Sequence, residues 1–225
     1  MLAGLDALGV RRLICLGDLV GYGADPGRVV EIIGSRDAAI VAGNHDRAAA
    51  GLMDLEWFNP YARAAAEWTA GQLRADQSAY LGKLPVVAEE AGATLVHASP
   101  HDPEGWPYLM SPADGAMAFP AFATRLCFVG HSHVPAVWTL RVDGRLEFRR
   151  GVGATRLTPD ARLVVNVGSV GQPRDGDPTA VYAVWDAELG EVEIRRAPYD
   201  VHEARRRIYR AGLPGILGDR LLAGR

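Results

Sequence analysis

The chain has 225 residues, 48% of them hydrophobic and 23% charged, with a formal net charge of −3. A chain of this length and apolar content can bury a sizeable core, and we expect a single domain over residues 1–225. The slightly negative balance gives no general attraction to nucleic acid or to an anionic membrane, so phosphate recognition would have to come from a local site.

The first elements alternate between helix and strand. Residues 1–9 carry leucines at helical spacing and end at Gly9, and the apolar run 10–17 predicts a strand. Asp25-Pro26 is typical of a helix start, and residues 38–43 predict a short buried strand. Strand, helix and strand in this order indicate a parallel βαβ unit.

Residues 54–84 change to an alanine-rich helical pattern, which predicts a helical insertion between core strands. Its aromatic residues Trp57, Tyr61 and Trp68 have two interpretations. They could stack on a base, but aromatic residues on amphipathic helices more often pack into the core, so we expect packing.

Three further apolar strands follow, each running into a polar loop, within residues 92–100, 125–133 and 162–177. Residues 180–186 and 191–200 alternate like an antiparallel hairpin, and two helices follow from Val201.

Two further patterns concern location. Cys15 and Cys127 lie inside apolar runs and favour buried thiols over a disulfide, as in a reducing compartment. No apolar run approaches the length of a membrane span, and the first residues lack a signal-peptide pattern. We expect a cytoplasmic protein without membrane partners.

Potential metal ligands come directly after these strands, namely Asp18, Asn44, His45, Asp46, His97, His131 and His133. Loops at the strand ends of α/β sheets converge, so these side chains could meet in space. Imidazole suits zinc, manganese, iron or nickel, and a carboxylate can bridge two cations.

Each motif also has a structural interpretation: turn capping for Asp18, turn chemistry for Asn-His-Asp, or a hydrogen-bonded histidine pair. If the backbone at 131–133 is extended, both rings point to the same side. The shared position after apolar strands favours the metal site.

In order, "GDLVGYG", "GNHD", "VHASP", "GHSHVP" and "NVGSVGQPRDGD" closely resemble the calcineurin-like metallophosphoesterase superfamily, specifically its small bacterial and archaeal phosphodiesterase branch. The resemblance implies an α/β (α+β) fold, a four-layer αββα sandwich of two mixed sheets. It also implies a site for two divalent metal ions, Mn, Fe, Zn or Ni.

The resemblance also implies roles. Asp18 would bridge both metals, Asn44, His97 and His131 would complete the second, and His133 would bind the first. Asn44 and His45 would contact the substrate phosphate, and His45 would act catalytically by helping the leaving oxygen depart. The loop "GSVGQPR" could place Ser169 and Arg174 near the anion, or be a plain glycine-rich turn. His101 reads as a surface residue.

The function implied is a metal-dependent phosphoesterase that hydrolyses a small phosphorylated substrate, a phosphodiester or nucleotide-type phosphate. Two alternatives stay open: a non-catalytic module that binds phosphate or nucleotide through a single metal, and a protein phosphatase. Fold and metal ligands are shared across many substrates, so the motifs do not specify which substrate or metal is used.

One motif of the family has no counterpart. The family begins with a strand ending in Asp-x-His that binds the first metal, and here only Asp18 and His133 would remain for that metal. We therefore expect a chain shortened at its start, by start-codon assignment or deletion, with an unpaired sheet neighbour and impaired activity if it truly begins at Met1. The sequence Asp200-Val-His202 fits a helix N-cap better than a substitute ligand pair.

Overall fold

Eight α-helices and eleven β-strands lie along residues 1–225 of the computed structural model. The helices are α1 (Leu2–Ala7), α2 (Pro26–Gly34), α3 (Asn44–Ala49), α4 (Pro60–Gln72), α5 (Ala75–Gly82), α6 (Pro112–Ala118), α7 (Val201–Arg210) and α8 (Gly215–Leu222). The strands are β1 (Leu13–Cys15), β2 (Ala38–Ile40), β3 (Val87–Glu90), β4 (Ala93–Val96), β5 (Leu126–Val129), β6 (Ala136–Arg141), β7 (Leu146–Arg150), β8 (Gly153–Arg156), β9 (Ala161–Asn166), β10 (Ala180–Asp186) and β11 (Glu191–Ala197). Short 3₁₀ helices span Leu55–Trp57 and Phe119–Ala121.

A six-stranded mixed sheet in the order β3-β4-β5-β9-β6-β7 forms one inner layer. Its β4, β5 and β9 are parallel, and the outer pairs are antiparallel. Every residue of β4 and β5 is buried, because parallel strands are covered on both faces.

The second inner layer is divided into two hydrogen-bonded pieces, the parallel pair β1-β2 and the antiparallel sheet β10-β11-β8. The strand β1 pairs only with β2. Both pieces face the six-stranded sheet, since one buried cluster joins residues of all three: Leu16, Val41, Phe128, Val165, Val181 and Ile194.

Helices cover both outer faces. Helix α6 and the following 3₁₀ helix pack on the six-stranded sheet through Phe119, Phe122 and Trp138. Helices α2, α3 and α5 pack on β1-β2 through a cluster that contains Val30, Ala49 and Leu81. Burying each large apolar side chain stabilises the fold by roughly 1.5–3 kcal/mol. The order helix, sheet, sheet, helix confirms the four-layer αββα sandwich.

The 3₁₀ helix Leu55–Trp57, α4 and α5 lie between β2 and β3, in the range for which the sequence predicts a helical insertion. Trp68 packs against the cluster of α7 and α8. The packing prediction is wrong for Trp57 and Tyr61, which are 84% and 50% exposed. The buried face of α4 consists of small residues, Ala62, Ala65, Ala66 and Thr69, and neither ring lies on that face.

At the start of α7, the Asp200 carboxylate accepts a hydrogen bond from the Glu203 backbone N–H at 2.8 Å. His202 is exposed in the same turn, which confirms the capping interpretation. None of the helices combines the length and the apolar character that a bilayer crossing requires.

Candidate metal centre

Loops at the carboxyl ends of five strands line an open cavity of about 780 Å³. Asp18 follows β1, Asn44 and His45 follow β2, and His131 and His133 follow β5. The loop after β9 adds Arg174, and His97, directly after β4, is buried beside the cavity. The structure therefore brings the six residues Asp18, Asn44, His45, His97, His131 and His133 into one region.

Asp18, His97 and His131 form the tightest donor group, with one potential ligand atom each, all within 4.8 Å of one another. His97 Nε2 lies 3.3 Å from Asp18 Oδ2 and 3.1 Å from His131 Nδ1. On the other side of the ring, His97 Nδ1 is 2.6 Å from the Leu16 carbonyl oxygen. That contact fixes Nδ1 as the protonated nitrogen and leaves Nε2 facing the group.

Two glycines allow the loops after β1 and β2 to approach each other. A Cβ on Gly43 would lie 2.1 Å from Asp18 Oδ1, and one on Gly17 would lie 2.5 Å from the Gly43 nitrogen. Gly17 also has φ +85, a conformation that glycine adopts readily. The Asp18 carboxylate consequently lies against the Gly43 backbone and accepts a hydrogen bond from His45 N–H at 2.9 Å.

Asn44-His45-Asp46 begins helix α3, where the sequence favoured a loop. The fully buried Asp46 carboxylate accepts hydrogen bonds from the backbone N–H groups of Gly43 at 2.9 Å and Val20 at 3.3 Å. Asp46 thus ties the start of α3 to the loop that carries Asp18.

The backbone at residues 131–133 is not extended. His131 and His133 both have φ +61, in the left-handed region, and Asp18 has φ +51. Such conformations cost non-glycine residues roughly 1–2 kcal/mol each. Both histidines still reach the cavity: His131 stacks on Tyr108 with ring centroids 4.2 Å apart, and His133 Nδ1 donates to the Gln172 carbonyl at 2.7 Å.

Burial and charge set the protonation of the group. Burial lowers the pKa of His131 and of His133 to about 3, and His97 and Arg174 respectively reinforce the shift. Burial opposes ionisation of Asp18, but the neighbouring His97 outweighs it and holds the Asp18 pKa well below its usual range. At neutral pH His131 and His133 are therefore neutral and Asp18 is ionised. Burial lowers the pKa of His97, but the Asp18 carboxylate outweighs burial and raises it. A metal ion would bind the neutral form of His97.

Two buried polar atoms beside the group, Asn44 Oδ1 and His45 Nδ1, have no hydrogen-bond partner. An unsatisfied buried acceptor costs roughly 1–3 kcal/mol, so a ligand for it is expected. The His45 ring lies between Tyr22 and Phe58 at centroid distances of 4.5 and 5.0 Å. One carboxylate, several imidazole nitrogens and a free amide oxygen are a donor set that fits a divalent cation.

Arg174 is positioned beside the cavity without a carboxylate partner. Its guanidinium donates to Gln172 Oε1 at 2.8 Å and lies 5.5 Å above the Tyr22 ring. Ser169 does not line the cavity; its hydroxyl accepts a bond from Gln172 N–H at 3.0 Å within the turn. His101 is exposed, as expected.

Sequence reasoning missed most of the aromatic lining of the cavity, which comprises Tyr22, Trp57, Phe58, Trp106 and Tyr108. Trp106 and Tyr108 lie in the loop after β4, where two aromatic residues stand among prolines, glycines and charged residues. Aromatic residues in a polar loop, outside any apolar run, were the available signal.

A family model and several known proteins are similar to this chain. The family model for the calcineurin-like phosphoesterase superfamily domain matches residues 1–190. An uncharacterized protein of Methanocaldococcus jannaschii is 37% identical over 96% of this chain and 88% of its own length. A metallophosphoesterase structure from Sphaerobacter thermophilus is 37% identical with a TM-score of 0.83, covering 100% of this chain and 93% of that one.

A hypothetical protein from Pyrococcus horikoshii shares the fold at a TM-score of 0.78 and 21% identity, over 100% of this chain and 90% of that one. The family model and the two relatives at 37% identity support the family assignment by sequence as well as by fold. The chain belongs to the calcineurin-like phosphoesterase superfamily.

Proposed function

We propose that this protein is a metal-dependent phosphoesterase that hydrolyses phosphodiesters or nucleotide-type phosphates. The observation that carries the proposal is the donor group Asp18, His97 and His131 in the same region as His45 and Arg174. Asp18, His97 and His131, with the free Asn44 oxygen, would hold one divalent ion, and Asp18 with His133 would contribute to a second.

Divalent ions at such a site polarise phosphoryl oxygens and neutralise the charge that develops on them. Arg174, fixed by Gln172 and free of any carboxylate, would bind and orient a phosphoryl oxygen. Burial lowers the His45 pKa, so the free ring is neutral, and a bound phosphate anion would favour its protonated form. His45 would then hold a proton beside the leaving oxygen.

The test is manganese-dependent hydrolysis of bis(p-nitrophenyl) phosphate. We expect Asp18→Asn to reduce both turnover and manganese affinity, and His45→Ala to reduce turnover while manganese affinity stays near wild type. Asp143→Asn, at an exposed turn, is the matched control and should change neither. Robust turnover by the Asp18→Asn variant would overturn the ligand assignment.

A second function, a non-catalytic module that senses phosphate through one metal, has one observation in its favour. The structure groups a single set of three acidic or histidine donors, Asp18, His97 and His131. Metal content by mass spectrometry separates the two functions. Two tightly bound ions per chain with turnover favour the enzyme, and one ion with phosphate binding but no turnover favours the module.

We also propose a cytoplasmic location. Cys15 and Cys127 are unpaired thiols in β1 and β5. Burial raises the pKa of Cys15 to about 12 and that of Cys127 further, so both thiols stay protonated. Unpaired thiols are typical of a reducing compartment.

A further inference from the structure

Two separate segments give the cavity an aromatic wall. The helical insertion contributes Trp57 and Phe58, and the loop after β4 contributes Trp106 and Tyr108. Trp57 and Tyr108 are 84% and 54% exposed, so neither ring is part of the core. Exposed aromatic rings that line a cavity beside convergent polar groups are typical of ligand contact.

This wall, here called the aromatic recess (Trp57, Phe58, Trp106 and Tyr108), begins at the candidate metal centre. Phe58 lies 5.0 Å from the His45 ring, Trp106 5.8 Å from His97, and Tyr108 4.2 Å from His131. Trp57, which directly precedes Phe58 in the sequence, extends the wall and has no aromatic partner of its own. A planar group attached to a phosphate at the centre would therefore meet aromatic faces.

The charges that line the cavity favour a neutral group in the recess. The cavity has two arginines, and Arg47 already donates to the carbonyl oxygens of Gly82 at 2.9 Å and Leu84 at 3.2 Å. Arg174 is therefore the one guanidinium available for an anion. Asp54 and Glu104 also line the cavity, and their carboxylates would repel a second phosphate.

We propose that the aromatic recess binds a neutral planar ring, such as a nucleobase, carried on a single phosphate, with Trp57 as its main stacking residue. The inference rests on the proposed function, since it assumes a phosphate at the metal centre. It adds a substrate class: esters of nucleoside monophosphates are preferred over alkyl phosphates and over polyphosphates.

The test compares adenosine 5′-monophosphate with ribose 5-phosphate by isothermal titration calorimetry, using the full chain with manganese. The two compounds differ in the base, and removal of one stacking ring weakens base binding roughly 5- to 150-fold. We expect the nucleotide to bind about tenfold tighter or more, and Trp57→Ala to remove most of that preference. Trp57→Phe keeps a stacking face and should retain most of it.

Tyr61→Ala is the matched control, because Tyr61 is an exposed aromatic residue of the same insertion that does not line the cavity. It should leave the preference unchanged. Equal binding of the two compounds by the wild type, or full preference in Trp57→Ala, would overturn the recess as a base site. An equal loss in Tyr61→Ala would do the same, because it would show a general effect on the insertion.

Adenosine 5′-diphosphate tests the single-phosphate part of the inference and should bind no tighter than the monophosphate. Tighter binding would overturn that part. Hydrolysis of bis(p-nitrophenyl) phosphate without any preference for a base would refute the recess and leave the proposed function standing. Absence of both hydrolysis and phosphate binding would refute both.

Discussion

Replacing Gly43 with alanine tests whether the Asp18 position depends on the close approach of two loops. Gly43 has φ −101 and ψ 172, which alanine adopts without strain, so the effect of the substitution is purely steric. The new Cβ would lie 2.1 Å from Asp18 Oδ1 and 2.5 Å from the Asp18 backbone nitrogen. Because one contact is with backbone, a side-chain rotation alone does not relieve the overlap.

The Asp18 loop then has to move by roughly 1 Å to restore ordinary contact distances, and overpacking of this kind costs about 1–3 kcal/mol. Each kcal/mol lowers the melting temperature of a protein of this size by about 2–4 °C. A displacement of 1 Å at a site can also reduce activity on the order of 100-fold. We expect lower manganese affinity, lower hydrolysis of bis(p-nitrophenyl) phosphate and a lower melting temperature.

Gly71→Ala is the matched control for Gly43→Ala. Gly71 lies in α4 and does not have positive φ, and a Cβ added to it would meet no heavy atom within 4 Å. Alanine there should stabilise the helix by roughly 0.5–1 kcal/mol and leave metal binding unchanged. If Gly43→Ala retained wild-type manganese affinity and activity, the argument from loop contact would be refuted.

Two further predictions concern stability. Asp46→Ala removes the acceptor of the Gly43 and Val20 N–H groups. We expect the free energy of unfolding, measured in urea, to fall by roughly 2 kcal/mol or more. An unchanged midpoint would contradict the role of Asp46 in joining the loops. Removing bound metal with a chelator should lower the melting temperature, because an ion present at 100 times its Kd stabilises the fold by about 2.7 kcal/mol. An unchanged melting temperature after verified metal loss would argue against metal binding to the folded state.

The four-layer fold was implied by the resemblance to the family, whereas the residues themselves predict short apolar strands with polar residues directly after them. Parallel strands of this kind place their carboxyl ends together, so the position of His97 after β4 and of His131 after β5 could be inferred. The division of the second layer into two sheets could not, since which strands share backbone hydrogen bonds depends on their final separation.

Other features depended on contacts between distant segments. Asn44 starts a helix whose Asp46 carboxylate accepts one hydrogen bond from the N-cap residue Gly43 and another from Val20 in the loop after β1. Trp57 is exposed because the insertion packs through alanines of α4, which leaves the ring beside the cavity. Residue type alone favoured core packing for that tryptophan, but its exposure depends on which face of the insertion packs against the rest of the protein.

Asp18, His131 and His133 adopt left-handed backbone conformations, which are unfavourable for residues other than glycine. These conformations nevertheless place their donor atoms at the candidate metal centre. Glycine at any of the three would relax the chain locally but supply no ligand. In metal-free buffer, selection for heat resistance alone would therefore favour glycine variants that have lost a candidate metal ligand, as a trade-off between stability and activity. Screens for robust variants of this protein should monitor metal content together with the melting temperature.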